Sequence, residues 1–227
     1  MTRPDKALTH VVAAAVMDAA ARVLIAQRPP GKHLAGGWEF PGGKLEPGED
    51  RRFGLARELR EELGIIVSAP PRPLIRVRHV YDYGEVLIDM WVVRRHSGEP
   101  RGLDGQALRW CTQDELESVD LLPADGPIVA ALRLPERLWQ AATRDYVLGR
   151  SADADADGRL RGVWCETLAD AMAASDAGGD FLVLRNALSH TEVTSICELV
   201  PVPVYVPGIG LEEAWELGAT GIVEIGE

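Results

Sequence analysis

The sequence predicts an α/β protein with two parts, an N-terminal region mixing strands and helices and a smaller C-terminal region of βα repeats on a parallel sheet. Three observations lead there. Short apolar runs rich in Val and Ile alternate with amphipathic stretches from Val11 onward. The acidic segment 150–162, RSADADADGRLRG, separates halves of different composition and reads as an exposed boundary. Behind it the order strand, helix, strand, connection, strand, helix, strand is the pattern of βα units.

Composition narrows the function classes. With 227 residues, 46% of them apolar, the chain can bury a substantial core. Its formal net charge of -11 argues against non-specific binding to a nucleic acid polymer and against attraction to an anionic membrane. Small phosphorylated ligands stay compatible, because a metal ion and a few local Arg or Lys residues reverse the field inside one pocket. Cys111, Cys165 and Cys197 are widely spaced and odd in number, which predicts free thiols in a reducing compartment. MTRPDKALTH has no apolar core of a signal segment, and no run of 18 apolar residues occurs, so a soluble cytoplasmic protein is expected.

In chain order, HVVAAAVMDAAARVLIAQ predicts strands over about 11–17 and 23–26 with a turn near Asp18; its alanines would also suit a helix in isolation. RPPGKHLAGGW, from Arg28, is a loop by its prolines and glycines, and a basic one through Arg28, Lys32 and His33. Glu39 and Phe40 lead into Pro41, Gly42 and Gly43, and Pro47-Gly48 makes a second turn. A helix follows from about Asp50 to Leu63, with Glu49 or Asp50 accepting from its first-turn amides, Phe53, Ala56, Leu59 and Leu63 as the apolar stripe, and Gly64 just past its end. Strands are predicted over about 74–81 and 85–95 with a turn at 82–84, then a GLDGQ turn, a short LRWC strand, and a helix capped by Thr112 with Glu115. A further helix spans about Pro127–Leu134, with another beginning at Pro135. Asp153, Asp155 and Asp157 lack the closing Glu of an EF-hand loop, so calcium binding is not expected.

The chemistry gathers on the first helix. Glu58, Glu61 and Glu62 stand at i, i+3 and i+4, so their carboxylates emerge on one face within reach of one another. Like charges so crowded call for counter-charge, and hard oxygens without a Cys or His cluster suit Mg²⁺ or Mn²⁺. Arg57 is placed to pair with Glu49 or Glu61.

Gly43, five residues, Glu49, seven residues, then Arg57-Glu58-Leu59-Arg60-Glu61-Glu62-Leu63-Gly64-Ile65 resembles the complete Nudix box, with every fixed position filled. QRPPGKHLAGGWEFPGGKLEPGE, GEPRGLDGQALRW and LLPADGPIVAAL are similar to the MutT-type branch, which hydrolyses 8-oxo-dGTP and related triphosphates to monophosphate and pyrophosphate. The resemblance covers about residues 8–135. It implies a Nudix α/β/α sandwich with a mixed sheet over residues 1–135 and an Mg²⁺-dependent attack of metal-activated water on a bridging phosphate.

Carried onto this chain, the resemblance implies Gly43, Glu49, Glu58, Glu61, Glu62 and Asp104 as metal-site residues, with Glu58, Glu61, Arg57 and Asp104 in catalysis. Glu58 and Asp104 are both candidates for the base. Arg28, His33, Glu39, Phe40 and Asp125 are the candidate substrate contacts. Asp125 stands where the branch has an Asn, and an ionised Asp only accepts hydrogen bonds, so the base preference is open between 8-oxo-dGTP and other nucleotides such as CTP, other dNTPs or a conjugate. A catalytically silent nucleotide-binding module is the non-enzymatic alternative.

Residues 136–157 are expected as a connecting helix and acidic linker. From 158 to 227, DFLVLRNALSHTEV, PVPVYVPG and AWELGATGIVEIG resemble the later part of thiamine phosphate synthase-like barrel domains, truncated to a partial barrel. The first half of such a barrel has no counterpart, which argues against thiamine phosphate synthesis. The open edges of a parallel sheet would suit packing or a homodimer through this region.

Overall fold

The protein is described by a computed structural model covering residues 8–152, 157–185 and 188–224. It divides into two compact units, one of residues up to 72 with 77–129, the other of residues 73–76 with those from 130 onward. No helix among the described residues is long and apolar enough to cross a membrane.

The first unit begins with β1 (Leu8–Val16), β2 (Val23–Gln27), β3 (Trp38–Glu39), β4 (Gly42–Lys44) and α1 (Arg51–Leu63). It continues through β5 (Ile66–Val67), β6 (Arg72–Tyr81), β7 (Gly84–Val93), β8 (His96–Ser97), β9 (Leu108–Cys111) and α2 (Gln113–Leu116). A single 3-10 turn, Pro123–Asp125, leads into α3 (Gly126–Leu132). The main sheet has the order β4-β1-β7-β6. It is mixed, since β1 runs antiparallel to β4 and parallel to β7. A second sheet of order β3-β2-β9 and the β5-β8 pair complete this α/β sandwich.

The alanines of β1 form strand rather than helix because β1 sits between two partners. Its nine residues pair with β7 from Leu8 opposite Glu85 to Val16 opposite Val93, and residues 12–16 are buried. The ladder satisfies the backbone along the strand, which outweighs the weak helix preference of an isolated Ala run. Asp89 of β7 is a buried carboxylate, hydrogen-bonded by His10 of β1 and 3.4 Å from Arg51 Nη1. It ties the start of α1 to the sheet.

Helix α1 is capped as the sequence predicts. Asp50 accepts from the amides of Arg52 and Phe53 at 2.9 and 3.2 Å, and Gly64 takes the left-handed conformation at φ 70° while donating to the Arg60 carbonyl. The expected apolar stripe needs correction. Leu55, Leu59 and Leu63 pack against Val12, Ala14, Val16, Trp91 and Val93, whereas Phe53 is 76% exposed. Phe53 lies two residues before Leu55, about 200° around the helix, so both cannot face the sheet.

The second unit comprises β10 (Arg137–Leu138), β11 (Tyr146–Gly149), β12 (Leu160–Cys165), α4 (Leu168–Asp176), β13 (Phe181–Leu184), α5 (His190–Leu199), β14 (Val204–Pro207), α6 (Leu211–Glu216) and β15 (Gly221–Val223). Its strands form one sheet of order β10-β15-β14-β13-β12-β11, parallel at every pairing, curled in the manner of a half-barrel. One core packs Val163, Leu182, Val204 and Ile222 against Ala171, Val193, Ile196 and Ala214 of the helices. The other brings Leu134, Leu138 and Tyr146 against Phe181 and Tyr205.

Two expectations fail here. The helix expected from Pro135 is absent, and β10 and β11 stand in its place. Leu138 and Tyr146 are buried beside Phe181 and Tyr205, and β11 pairs with β12 over four residues, so tertiary burial decides a segment whose local pattern was ambiguous. The segment expected as a plain connection before β14 contains α5, which Ser189 and Glu192 open with a reciprocal capping box. Of the aspartates considered for calcium, Asp153 and Asp155 lie outside the described residues, and Asp157 sits in the turn before β12.

Candidate functional site

The site is built where β4 delivers its chain onto α1. Gly42 pairs opposite Ala13 with φ 152°, and a Cβ there would lie 2.1 Å from the Val12 carbonyl oxygen, so only glycine allows this approach of β4 to β1. At Gly43 a Cβ would fall 2.2 Å from Glu58 Oε2. The missing side chain is thus the space that the Glu58 carboxylate occupies.

Arg57 is the hub of the carboxylates. Its Nε and Nη2 donate to the two oxygens of Glu49, each at 2.9 Å, in a two-pronged pair. Its Nη1 donates to Glu58 at 2.8 Å and to Glu61 at 3.2 Å, and Nη2 also donates to the Lys44 carbonyl at 3.1 Å. These bonds hold the Glu49 carboxyl down at about 2, aided by the Glu46 amide, and raise the guanidinium in turn through Glu49 and Glu58. The sequence anticipated Arg57 pairing with Glu49 or Glu61; the structure makes both bonds at once.

Glu62 has no such partner. It accepts from the Gly42 amide at 3.2 Å, yet burial pushes its carboxyl up to about 7, with Glu39 and Glu58 adding repulsion and Lys32 opposing. A cavity brings Glu62 together with Lys32, Glu39, Asp104, Gln106 and Pro41. Asp104 stands half-exposed at its rim, 3.8 Å from Lys32 Nζ.

Gln106, which the sequence reading did not single out, fastens this rim. Its Oε1 accepts from the Asp104 amide at 2.8 Å and its Nε2 donates to the Glu62 carbonyl at 3.1 Å, with the side chain buried. The available signal was a Gln placed between the GLDG turn and an apolar strand, where a polar residue enters the core only with its partners.

The remaining candidates form a neighbouring group. Arg28 Nη1 pairs with Glu39, whose carboxyl is raised by burial against the pull of Arg28 and Lys32. Asp125, 5% exposed, lies close enough to both for their charges to act on it. Tyr81 also belongs to this group, its hydroxyl pushed up by burial. His33 packs edge-on to Tyr83, which stacks on Tyr81. Phe40 is buried, and Glu61, more than half exposed, joins the carboxylates through Arg57.

Among the described residues no three His, Cys, Asp or Glu side chains converge on one point. The chemistry nonetheless fits a divalent cation, because every donor is a hard oxygen and Glu62 is a buried carboxyl beside two others whose repulsion a cation would relieve.

The model of the NUDIX domain family matches residues 12–131. The chain is 40% identical over 121 residues to the CTP pyrophosphohydrolase of Escherichia coli, covering 53% of this chain and 88% of that protein. It is 41% identical over 129 residues to the putative 8-oxo-dGTP diphosphatase 2 of Mycobacterium tuberculosis, covering 55% and 89% respectively. The crystal structure of the MutT protein from Methanosarcina mazei superposes with a TM-score of 0.51 at 20% identity, over 57% of this chain and 94% of that one, a likeness of fold alone. With its box complete and the family model spanning more than half of its length, the chain belongs to the NUDIX domain family.

Proposed function

We propose that this NUDIX-family nucleotide pyrophosphohydrolase is an Mg²⁺-dependent enzyme that cleaves 8-oxo-dGTP or a related nucleoside triphosphate to the monophosphate and pyrophosphate. The observation that carries the reading is the divided carboxylate cluster, in which Arg57 gathers Glu49, Glu58 and Glu61 while Glu62 stays half-buried with its carboxyl at about 7. Glu58, Glu61 and Glu62, with Glu49, the Gly43 carbonyl and Asp104, are the residues proposed to hold Mg²⁺ or Mn²⁺. When bound, such an ion supplies Lewis-acid polarisation of phosphoryl oxygens.

The chain's own residues do the rest. Arg57 fixes the rotamers of Glu49, Glu58 and Glu61, so their charges meet the phosphates without reorganising. Lys32 at the cavity rim neutralises the triphosphate. Asp104, half-exposed and only loosely paired with Lys32, is better placed to take up a proton from the attacking water than Glu58, which Arg57 engages directly. Arg28, Glu39 and Asp125 are proposed as the base contacts, with His33 against Tyr83 at their edge and Phe40 supporting from the core.

A second reading within the same chemistry is hydrolysis of CTP. The relative from Escherichia coli named for that activity favours it. Magnesium-dependent pyrophosphate release from 8-oxo-dGTP, dGTP, dATP, CTP and ADP-ribose tests both. Release from CTP alone selects the second reading, and no release from any of them rejects both.

The second unit is proposed as a separate domain of thiamine phosphate synthase-like ancestry that packs or dimerises, and the enzyme as one acting on the cytoplasmic nucleotide pool. Sedimentation equilibrium of the full chain tests dimerisation, which a strictly monomeric chain rejects.

A further inference from the structure

Two loops frame the mouth of the cavity, and both spring from the paired ends of β2 and β9. The strands run antiparallel from Val23 opposite Cys111 to Ala26 opposite Leu108, and the Gln27 amide extends the ladder by donating to the Ala107 carbonyl at 2.9 Å. Loop 28–37 therefore leaves the sheet beside the point where turn 101–106 enters it. The tips of the two meet again at Lys32 and Asp104, 3.8 Å apart on the wall of the cavity that holds Glu62. Turn 101–106 is fastened through Gln106 to the last turn of α1. Loop 28–37 is clamped differently. Its neck closes through the Arg28 amide to the Gly37 carbonyl at 2.9 Å and the Gly36 amide to the Arg28 carbonyl at 3.0 Å. Gln27 adds a side-chain bond, its Nε2 donating to the Gly36 carbonyl at 2.9 Å. Gly31 and Gly36 are left-handed, at φ 91° and 87°, and nothing lies within 4 Å of where a Cβ on either would stand. The conformation of these two bends, which flank Lys32, rests on hydrogen bonds more than on packing.

Resting on the nucleotide hydrolysis proposed above, we propose that Gln27 is a positioning residue, which holds the Gly36 carbonyl so that loop 28–37 presents Lys32 opposite Asp104 across the path of the phosphates. A primary amide suits this place, because it donates to the loop without bringing a charge into a wall shared by Lys32, Glu39 and Glu62. Gln27 acts through the loop and touches no reacting atom. With the bond to Gly36 in place, the loop is ordered before the nucleotide arrives, and binding does not have to order it. Without that bond, part of the attraction between Lys32 and the phosphates is spent on fixing the loop. The penalty falls on binding, since the carboxylates that Arg57 gathers on α1 are untouched.

The test uses the full chain in four forms, native, Q27M, K32A and the double variant, with CTP and 8-oxo-dGTP as substrates. Methionine keeps the length of the glutamine and removes its donor. In Q27M, KM rises about three- to tenfold while kcat stays within about twofold, the signature of lost binding rather than lost chemistry. In the K32A background the same substitution changes KM by less than about twofold, because the group through which Gln27 acts is gone. Hydrogen exchange at the Gly36 amide is faster in Q27M, and the urea midpoint stays close to native. A purely structural role would lower the midpoint and give the same KM change with or without Lys32. An unchanged KM in Q27M, an equal rise in both backgrounds, or a fall in kcat alone overturns the proposal. If neither nucleotide is hydrolysed, the hydrolase reading fails by itself, and equilibrium dialysis of the same two nucleotides against the four proteins replaces the kinetics. Affinity that depends on Gln27 only when Lys32 is present then upholds the positioning role, and the absence of that coupling, or of any binding, overturns it.

Discussion

Glu62 is expected to cost stability wherever it is charged, and replacing it by Gln should make the folded protein more stable at neutral pH. The carboxyl is raised from 4.5 to about 7, chiefly by burial. The native state therefore binds its proton more tightly than the unfolded chain does. Its contribution to stability is complete below about pH 4.5 and is lost as pH rises through about 7. A shift of that size corresponds to about 3 kcal/mol at about 1.4 kcal/mol for each pH unit. Because Glu62 keeps some contact with water and can relax, about 1–3 kcal/mol is the expected effect. Gln preserves an acceptor for the Gly42 amide while removing the charge. Urea unfolding in the presence of a chelator should give E62Q the higher stability at about pH 8 and a smaller difference at about pH 5, with equal m-values. If E62Q were equal to or less stable than native protein at the higher pH, the placement of Glu62 as an uncompensated buried carboxyl would be wrong. The same substitution should lower turnover, since Glu62 is among the carboxylates proposed to hold the cation.

Other substitutions separate the parts of the site. Glu58→Gln should leave the unfolding midpoint within the range of ordinary surface changes and lower kcat at least about 100-fold, measured by pyrophosphate release; unchanged turnover removes α1 from the reaction. Gly43→Ala places a methyl where the Glu58 carboxylate lies, so kcat should fall about tenfold or more while circular dichroism stays native. Gln106→Leu leaves the Asp104 amide without its acceptor, while the Glu62 carbonyl keeps the Leu103 amide, at a cost of about 1–3 kcal/mol in thermal or urea unfolding. Its KM and kcat should both worsen as the Asp104 rim shifts, and a variant altered in stability alone would limit Gln106 to a structural role.

Much of the chemistry was legible because it is local. The spacing of Glu58, Glu61 and Glu62 on α1, the caps at Asp50 and Gly64, and the glycines at 42 and 43 depend on helix periodicity and backbone sterics that act over a few residues. Phe53 was misplaced because two apolar residues two positions apart, Phe53 and Leu55, can each lead a stripe, and the sheet chooses between them. The helix expected after Pro135 failed for a similar reason. Tyr146 is buried only once Phe181 and Tyr205, far along the chain, are in position.

By itself, then, the sequence determined the reaction class through the pattern Gly43, Glu49, Arg57, Glu58, Glu61 and Glu62, along with the α/β character of both units and the capped helix that carries the carboxylates. Tertiary structure alone decided that Glu62 is left unneutralised. Glu49 sits at about 2 through Arg57 and the Glu46 amide, close in the chain, whereas Glu62 sits at about 7 through desolvation and the groups that β3, β4 and the loop at Lys32 bring around it. The same holds for Asp125, whose burial beside Glu39 and Arg28 joins three distant parts of the chain. Charge state is a property of surroundings, and the surroundings exist only after the chain has folded.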